Sequence, residues 1–489
     1  MSPPTHQDNP HHARRWLILA VLAVAQLMVI LDATIVNIAL PSAQESLGFS
    51  NDSRQWIVTA YALAFGSLLL LGGRLSDLFG RKWMFVVGLF GFAGASAVGG
   101  AAPSFEVLVG ARALQGVFGA MLAPASLALL TVTFTDPAER RKATGVYGAI
   151  AGGGGAVGLL LGGLLTEYTS WRACMYVNLA FAIPAGLAAM RLLHHQVATL
   201  KPRLDIPGVI TATSGLFALV YGFSKAETVG WGSGVTLGFL GAAVVLLSGF
   251  VAIQRRVEHP LLPLRVLLDR NRAGAYVAVA IAGAGMFGLF LFLTYFLQDT
   301  LGFSPVEAGL GFLPMTAALL VGVGLSSAKL LPRIGPRVVV TLGMALAGTG
   351  MLVFTQLTVD SSYATDVLPG LLVLGLGVGL TMATVMANAT LGVRTSDAGV
   401  ASAMVNTGQQ IGGSIGTALL STLSASAVTS YLDSHPKSAD LAAQAAVHGY
   451  TTAFWISAAI FAGGAVVCGV LLRPGVPQVE PGAELAMAH

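Results

Sequence analysis

Residues 16–41 read WLILAVLAVAQLMVILDATIVNIALP, twenty-six positions with one ionisable side chain, Asp32. A helix needs about 20 predominantly apolar residues to cross a hydrocarbon core of about 30 Å. The stretch therefore reads as a membrane span. It is too long for a cleavable leader and lacks a small-residue cleavage site, so it is expected to stay in place as a spanning helix. A carboxylate at that depth costs about 2.5–3.5 kcal/mol or more. Such a group is either satisfied structurally by a partner helix or kept for a function, and a protonatable coupling site is the functional reading.

Composition agrees with the span. Hydrophobic residues make up 55% of the 489 positions, charged residues 10%, and the mean hydropathy is +0.77. Ordinary soluble chains carry roughly 25% charged residues, so a soluble protein is excluded. Fourteen apolar runs are long enough to cross: 16–39, 55–73, 83–101, 105–131, 143–166, 173–192, 206–224, 234–254, 273–298, 305–328, 338–357, 367–391, 398–424 and 450–472. The predicted fold class is an all-α polytopic membrane protein of fourteen transmembrane helices. With both termini cytoplasmic, 21 of the 26 Lys and Arg residues fall on inside segments, as the positive-inside rule requires. A one-span error would scramble that segregation. The net charge of +4 needs no nucleic acid, because the basic loops face an anionic leaflet.

Two longer cytoplasmic connections, 193–205 and 255–272, flank the seventh and eighth spans. They divide the chain into a tail at 1–15, a six-helix half at 16–193, inserted helices 7 and 8 with their linkers at 194–271, a second six-helix half at 272–472, and a tail at 473–489. Secondary transporters are often two such halves around a midplane site. The loop Gly73-RLSDLFGR-Lys82 is echoed by Leu331-PRIGP-Arg337, each ending in a Gly–basic turn. Gly73 and Gly80 permit a tight turn, and Arg81 and Lys82 hold it at the membrane surface. Asp77 is placed to pair with an Arg or a helix N-terminus.

Arg112 lies inside the fourth run. At about 1.5 Å per residue, it and Asp32 are both roughly 10 Å from the outer ends of their spans, so Asp32 is its natural partner. The alternative is an Arg satisfied by span-one carbonyls. The fifth run is crowded with glycine, including Gly154, Gly158, Gly162 and Gly163, which lets helices pack backbone to backbone. In the ninth run, Phe287, Phe290, Phe292, Tyr295, Phe296 and Gln298 either pack a core or line an apolar binding cavity. Asn406, Gln409 and Gln410 in the thirteenth either join helices or meet a ligand. Cys174 and Cys468 have no CxxC or metal spacing and read as packing residues. No metal site or cofactor is expected. Walker A, HExxH and GxSxG motifs are absent from the sequence, which argues against an enzyme.

Three stretches together, Leu31-DATIVNIAL-Pro41, Gly73-RLSDLFGR-Lys82 and Arg112-ALQGVF-Gly119, resemble the major facilitator superfamily, and most closely its fourteen-span drug:proton antiporters of the QacA/EmrB type. The resemblance runs from Asp32 to about residue 472. It implies alternating access and export of amphipathic drugs, dyes or antibiotics in exchange for protons. Asp32 and Arg112 would couple the proton, and Gly73, Arg74, Asp77, Gly80, Arg81 and Lys82 would form a cytoplasmic latch. Asp32, Asn37, Gln115, Phe287, Phe290, Tyr295, Gln298, Asn406 and Gln409 would meet substrate. In that family the glycine-rich span carries prolines, one directly after the position of Gly158. This chain has Leu159 there and keeps the glycine spacing alone. The expected partners are a small-molecule substrate, protons and the lipid bilayer of a bacterial cytoplasmic membrane, with the chain a monomer. The alternatives are an exporter dedicated to one endogenous metabolite and a proton symporter.

Overall fold

The computed structural model describes residues 12–50, 53–134, 136–193, 205–258, 260–390, 398–436, 438 and 440–475. Most of both tails and of the 193–205 connection lie outside these residues, as do the side chains of Asp77 and Phe287. The described residues are helical throughout, joined by short turns, with no strand among them. Six helices come first: α1 (Arg15–Leu47), α2 (Gln55–Phe79), α3 (Arg81–Gly100), α4 (Phe105–Thr133), α5 (Pro137–Tyr168) and α6 (Trp171–Leu192). The pair α7 (Ile206–Val229) and α8 (Gly234–Gln254) follows, then the short α9 (Leu264–Leu268). The last set is α10 (Arg270–Tyr295), α11 (Pro305–Gly311), α12 (Leu313–Leu325), α13 (Leu331–Phe354), α14 (Leu368–Thr390), α15 (Ala398–Ser434) and α16 (Leu441–Leu471).

The first and last sets pack by one scheme. In the first, α2 and α3 lie on α4, α1 lies on α5 and α6, and α3 lies on α6. In the last, α12 and α13 lie on α14, α10 lies on α15 and α16, and α13 lies on α16. The turn glycines repeat as well. Gly80 has φ 92° and Gly335 has φ 76°, a left-handed conformation that costs glycine nothing and disfavours other residues. The Gly–basic echo seen in the sequence is thus the same backbone turn in both sets.

Twelve helical stretches among the described residues are long and apolar enough to cross a membrane, against the fourteen expected. The difference has two sources. Residues Pro305–Phe354 form one continuous 50-residue stretch, and within α5, where many side chains lie outside the described ones, the described apolar segment is Val157–Tyr168. Helices α7 and α8 lie at the edge of the bundle. Helix α7 packs on α2, α8 and α15, and Thr213 Oγ1 donates to Ser67 O at 3.3 Å. Helix α8 leaves Leu237, Val244 and Val245 57%, 66% and 70% exposed, the pattern of a lipid-facing surface.

The start of α1 and the end of α16 sit at one end of the bundle. Arg270 at the start of α10 donates to the carbonyls of Val470 and Leu471 at the end of α16, and Arg15 pairs with Glu139 at the start of α5 at 2.8 Å. At the opposite end the two sets share a core that joins Ile38, Leu40 and Trp171 to Phe296, Phe312 and Phe454. Polar contacts cross the same seam. Gln298 Nε2 donates to Ile38 O at 3.3 Å, and Val306 N donates to Glu167 Oε2 at 3.1 Å. The Arg54 guanidinium lies 3.8 Å over the Tyr295 ring and 4.0 Å from Asp299.

Glycine makes this seam tight. A Cβ on Gly158 would lie 2.0 Å from Thr34 Oγ1 and 3.0 Å from Leu31 O, and one on Gly163 would lie 2.5 Å from Pro305 O. Helix α5 is thereby clamped between α1 and α11. A Cβ on Gly155 would meet only Thr34 Cγ2, at 3.7 Å. We expect Gly158→Ala to lower the unfolding midpoint in detergent, as overpacking of about 1–3 kcal/mol would, while Gly155→Ala leaves it unchanged. Equal midpoints for the two variants would contradict the clamp.

Candidate functional site: a buried carboxylate network

Asp32 and Arg112 are 0% and 1% exposed, so each charge must be answered within the bundle. Helix packing sets their register. A Cβ on Gly116 would fall 2.4 Å from Tyr61 O, so α4 touches α2 at that point. One turn earlier on both helices, Arg112 Nε donates to Ile57 O at 3.2 Å. The backbone contact at Gly158 fixes α1 beside Leu31, which puts Asp32 at the same level.

Arg112 Nη1 donates to Asp32 Oδ2 at 2.5 Å, and the guanidinium lies 4.5 Å over the Tyr61 ring. Gln115 Nε2 donates to Asp32 Oδ1 at 2.8 Å, and Asn178 Nδ2 donates to the same oxygen at 2.7 Å. Ser96 closes the network. Its Oγ accepts from Gln115 at 3.1 Å and from Asn178 at 2.9 Å, and its own proton goes to Met175 O at 2.7 Å. Four helices thus supply side chains around one carboxylate: α1, α3, α4 and α6. Hydrogen bonds to a charged group are roughly twice as strong as neutral ones, and three of them here end on Asp32.

The other expected site residues are spread more widely. Gln115, expected against substrate, is fully buried and is spent on Asp32, Ser96 and Arg112. Asn37 donates to Ala33 O and Thr34 O of its own helix at 3.2 and 3.4 Å. Tyr295 is buried under Arg54, and Phe290 packs against Phe312 with ring centroids 5.5 Å apart. Gln298 spans the seam described above. Asn406 is exposed and Gln409 half-buried on α15, where Gly283 of α10 approaches the Gln409 carbonyl. Around the expected latch, Arg74 Nη2 donates to Pro260 O at 3.0 Å and Lys82 Nζ to Met190 O at 2.8 Å.

Ser96, Asn178 and Tyr61 were not singled out from the sequence. Depth carried a signal: Ser96 and Asn178 each lie about five residues, roughly 8 Å, inside the same ends of their apolar runs that Asp32 and Arg112 lie near. Removing one member of a buried ion pair strands the other at a cost of about 3–5 kcal/mol. We expect Asp32→Asn and Arg112→Gln each to lower the unfolding midpoint in detergent, and the double variant to lose much less than the sum. Additive losses would contradict the pairing.

The profile of the Major Facilitator Superfamily matches residues 22–417. The chain is 48% identical over 461 residues to the puromycin resistance protein pur8 of Streptomyces alboniger, covering 94% of this chain and 92% of that protein. It is 37% identical to the cephamycin export protein CmcT of Amycolatopsis lactamdurans, covering 83% and 85%. With the tetracenomycin C resistance and export protein of Streptomyces glaucescens it shares 36% identity, covering 88% and 81%. Among solved structures, an auto-inhibited POT family peptide transporter superposes with a TM-score of 0.69 at 17% identity, covering 95% and 98%. A bacterial homologue of the human lysosomal transporter Spinster, inward-facing and unoccupied, gives 0.63 at 16% identity, covering 94% and 97%. The chain is a multi-pass membrane protein that belongs to the Major Facilitator Superfamily, a family of transporters and not of enzymes.

Proposed function

We propose that the chain is a proton-coupled antiporter that exports amphipathic small molecules, antibiotics among them, across a bacterial cytoplasmic membrane by alternating access. The single observation that carries this reading is the buried network around Asp32, a carboxylate held by three donors at the depth where a transporter meets its coupling ion. Relatives named for puromycin resistance, cephamycin export and tetracenomycin C export support export of an antibiotic-like molecule over import.

The topology we propose has fourteen crossings with both termini cytoplasmic. The Pro305–Phe354 stretch is 50 residues long, about 75 Å as a straight helix, more than twice the hydrocarbon core. Its backbone turns at Gly335, so it makes two crossings. Helix α5, 32 residues long, makes one more. The halves are 16–193 and 272–472, with 194–271 as an insertion, and the recurring packing scheme supports that division. The end carrying the start of α1 and the end of α16 is then cytoplasmic by its basic residues. The opposite end, closed by Arg54, Tyr295, Gln298 and the α5–α11 clamp, is the external gate. The turn formed by Gly73, Arg74, Asp77, Gly80, Arg81 and Lys82 acts as the cytoplasmic latch.

In the cycle, ionised Asp32 paired with Arg112 accompanies substrate loading from the cytoplasm. Protonation from outside accompanies release and return. The test is pH-gradient-driven efflux from proteoliposomes, using an antibiotic panel first ranked by resistance of cells expressing the chain. We expect Asp32→Asn, purified as a single species, to fall to the level of empty liposomes. Wild-type rates in that variant would sink the proposal.

A further inference from the structure

The hydrogen bonds around Asp32 match only one protonation state. Every group in contact with its carboxylate is a donor: Arg112 Nη1 to Oδ2, Gln115 Nε2 and Asn178 Nδ2 to Oδ1. An ionised carboxylate accepts all three. A protonated one carries an O–H that needs an acceptor, and in this arrangement it would point at an N–H. A buried polar network left partly satisfied is strongly disfavoured, so taking up a proton requires a neighbour to change from donor to acceptor.

The candidates can be eliminated in turn. Arg112 has no acceptor atom. Gln115 has one, but its Oε1 already accepts from Arg112 Nη1 at 2.9 Å, and turning the amide would set its NH2 against the guanidinium. Ser96 Oγ reaches the two amides and not the carboxylate. The titratable and charged groups that face Asp32 are Arg112 from α4, Tyr61 from α2 and Cys174 from α6. Helix α5 presents glycine at this level and α3 presents Ser96. Cys174 is engaged with Thr166 Oγ1 at 3.3 Å and Gly162 O at 3.7 Å. Asn178 remains. It is 0% exposed, its Nδ2 serves Asp32 and Ser96, and its Oδ1 accepts no hydrogen bond.

We infer that Asn178 is the positioning residue that follows the proton: its amide donates to ionised Asp32 through Nδ2 and turns over to accept the O–H of protonated Asp32 through Oδ1. The turn costs no bond at Oδ1, since that atom has none, and it moves no charge. Gln115 and Arg112 stay fixed, and the turn gives up the Nδ2 bond to Ser96 Oγ at 2.9 Å, so the change of state is confined to the Asn178 amide and the Ser96 hydroxyl it releases. This rests on Asp32 being the proton-coupling group. It adds that α6 senses whether the proton is present.

The experiment is infrared difference spectroscopy between high and low pH on the full chain in lipid, without substrate. We expect a carboxylic acid C=O band to appear at low pH in wild type and to be lost in Asp32→Asn. In Asn178→Leu that band should shift to higher wavenumber, as an O–H without an acceptor does. Asn178→Thr, whose hydroxyl can donate or accept, should keep it near the wild-type position. A paired side-chain amide C=O feature should accompany the band in wild type, move on isotope labelling of asparagine, and vanish in Asn178→Leu. The labelling arm needs no variant and stands if Asn178→Leu does not fold. An Asp32 band unmoved in Asn178→Leu, or no asparagine feature in labelled wild type, would overturn the role of Asn178 while leaving Asp32 as the proton site. A low-pH band that survives Asp32→Asn, or no band at all, would overturn the proton site itself.

Discussion

Asp32 and Arg112 are both shut away from solvent, and neither charge is tolerable there without the other. That mutual dependence organises the first half of the molecule. Arg112 can reach Asp32 only because Gly116 brings α4 against α2, and Asp32 is held at that level because Gly158 brings α5 against α1. A larger residue at either glycine would separate helices that must touch. The Gln115, Asn178 and Ser96 side chains then take up the remaining lone pairs. The two amides share Asp32 Oδ1 and Ser96 Oγ as acceptors, so each of those oxygens has two donors.

The same helices connect this centre to the end remote from the start of α1. Helix α5 carries glycines against α1 on one side, at Gly154, Gly158 and Gly162, and Gly163 against α11 on another. Helix α1 carries Asp32 and, further along, Ile38, whose carbonyl accepts from Gln298. A rearrangement at Asp32 is therefore mechanically close to the seam between the first and last helix sets. Ion pairs such as Arg54–Asp299, partly exposed, are worth about 1 kcal/mol or less. The seam is held mainly by packing, and a closure of that kind can be reopened within a transport cycle.

Much of this was legible in the sequence, for identifiable reasons. Apolar runs and the segregation of Lys and Arg reflect the bilayer itself, so the helical class and the general order of spans could be read directly. Depth arithmetic placed Asp32 beside Arg112 because intramembrane charges cannot remain single. The Gly80 and Gly335 turns were visible because only glycine takes their φ cheaply. Ser96 and Asn178 were not singled out, since one polar residue in an apolar run is common and its orientation depends on which helices meet. In the structure Gln115 Nε2 donates to Asp32 and Asn37 Nδ2 to a carbonyl of its own helix. Side-chain direction around a helix axis is set by packing, which local pattern does not encode.

The central claim is that one carboxylate exchanges its proton in step with substrate. Proton release on substrate binding, followed by a pH indicator with purified protein in weakly buffered detergent solution, tests it most directly. The account predicts about one proton released per substrate bound by the wild-type chain when the pH allows Asp32 to begin protonated, and none by Asp32→Asn. Substrate binding without proton release at any pH, or release that persists in Asp32→Asn, would contradict it.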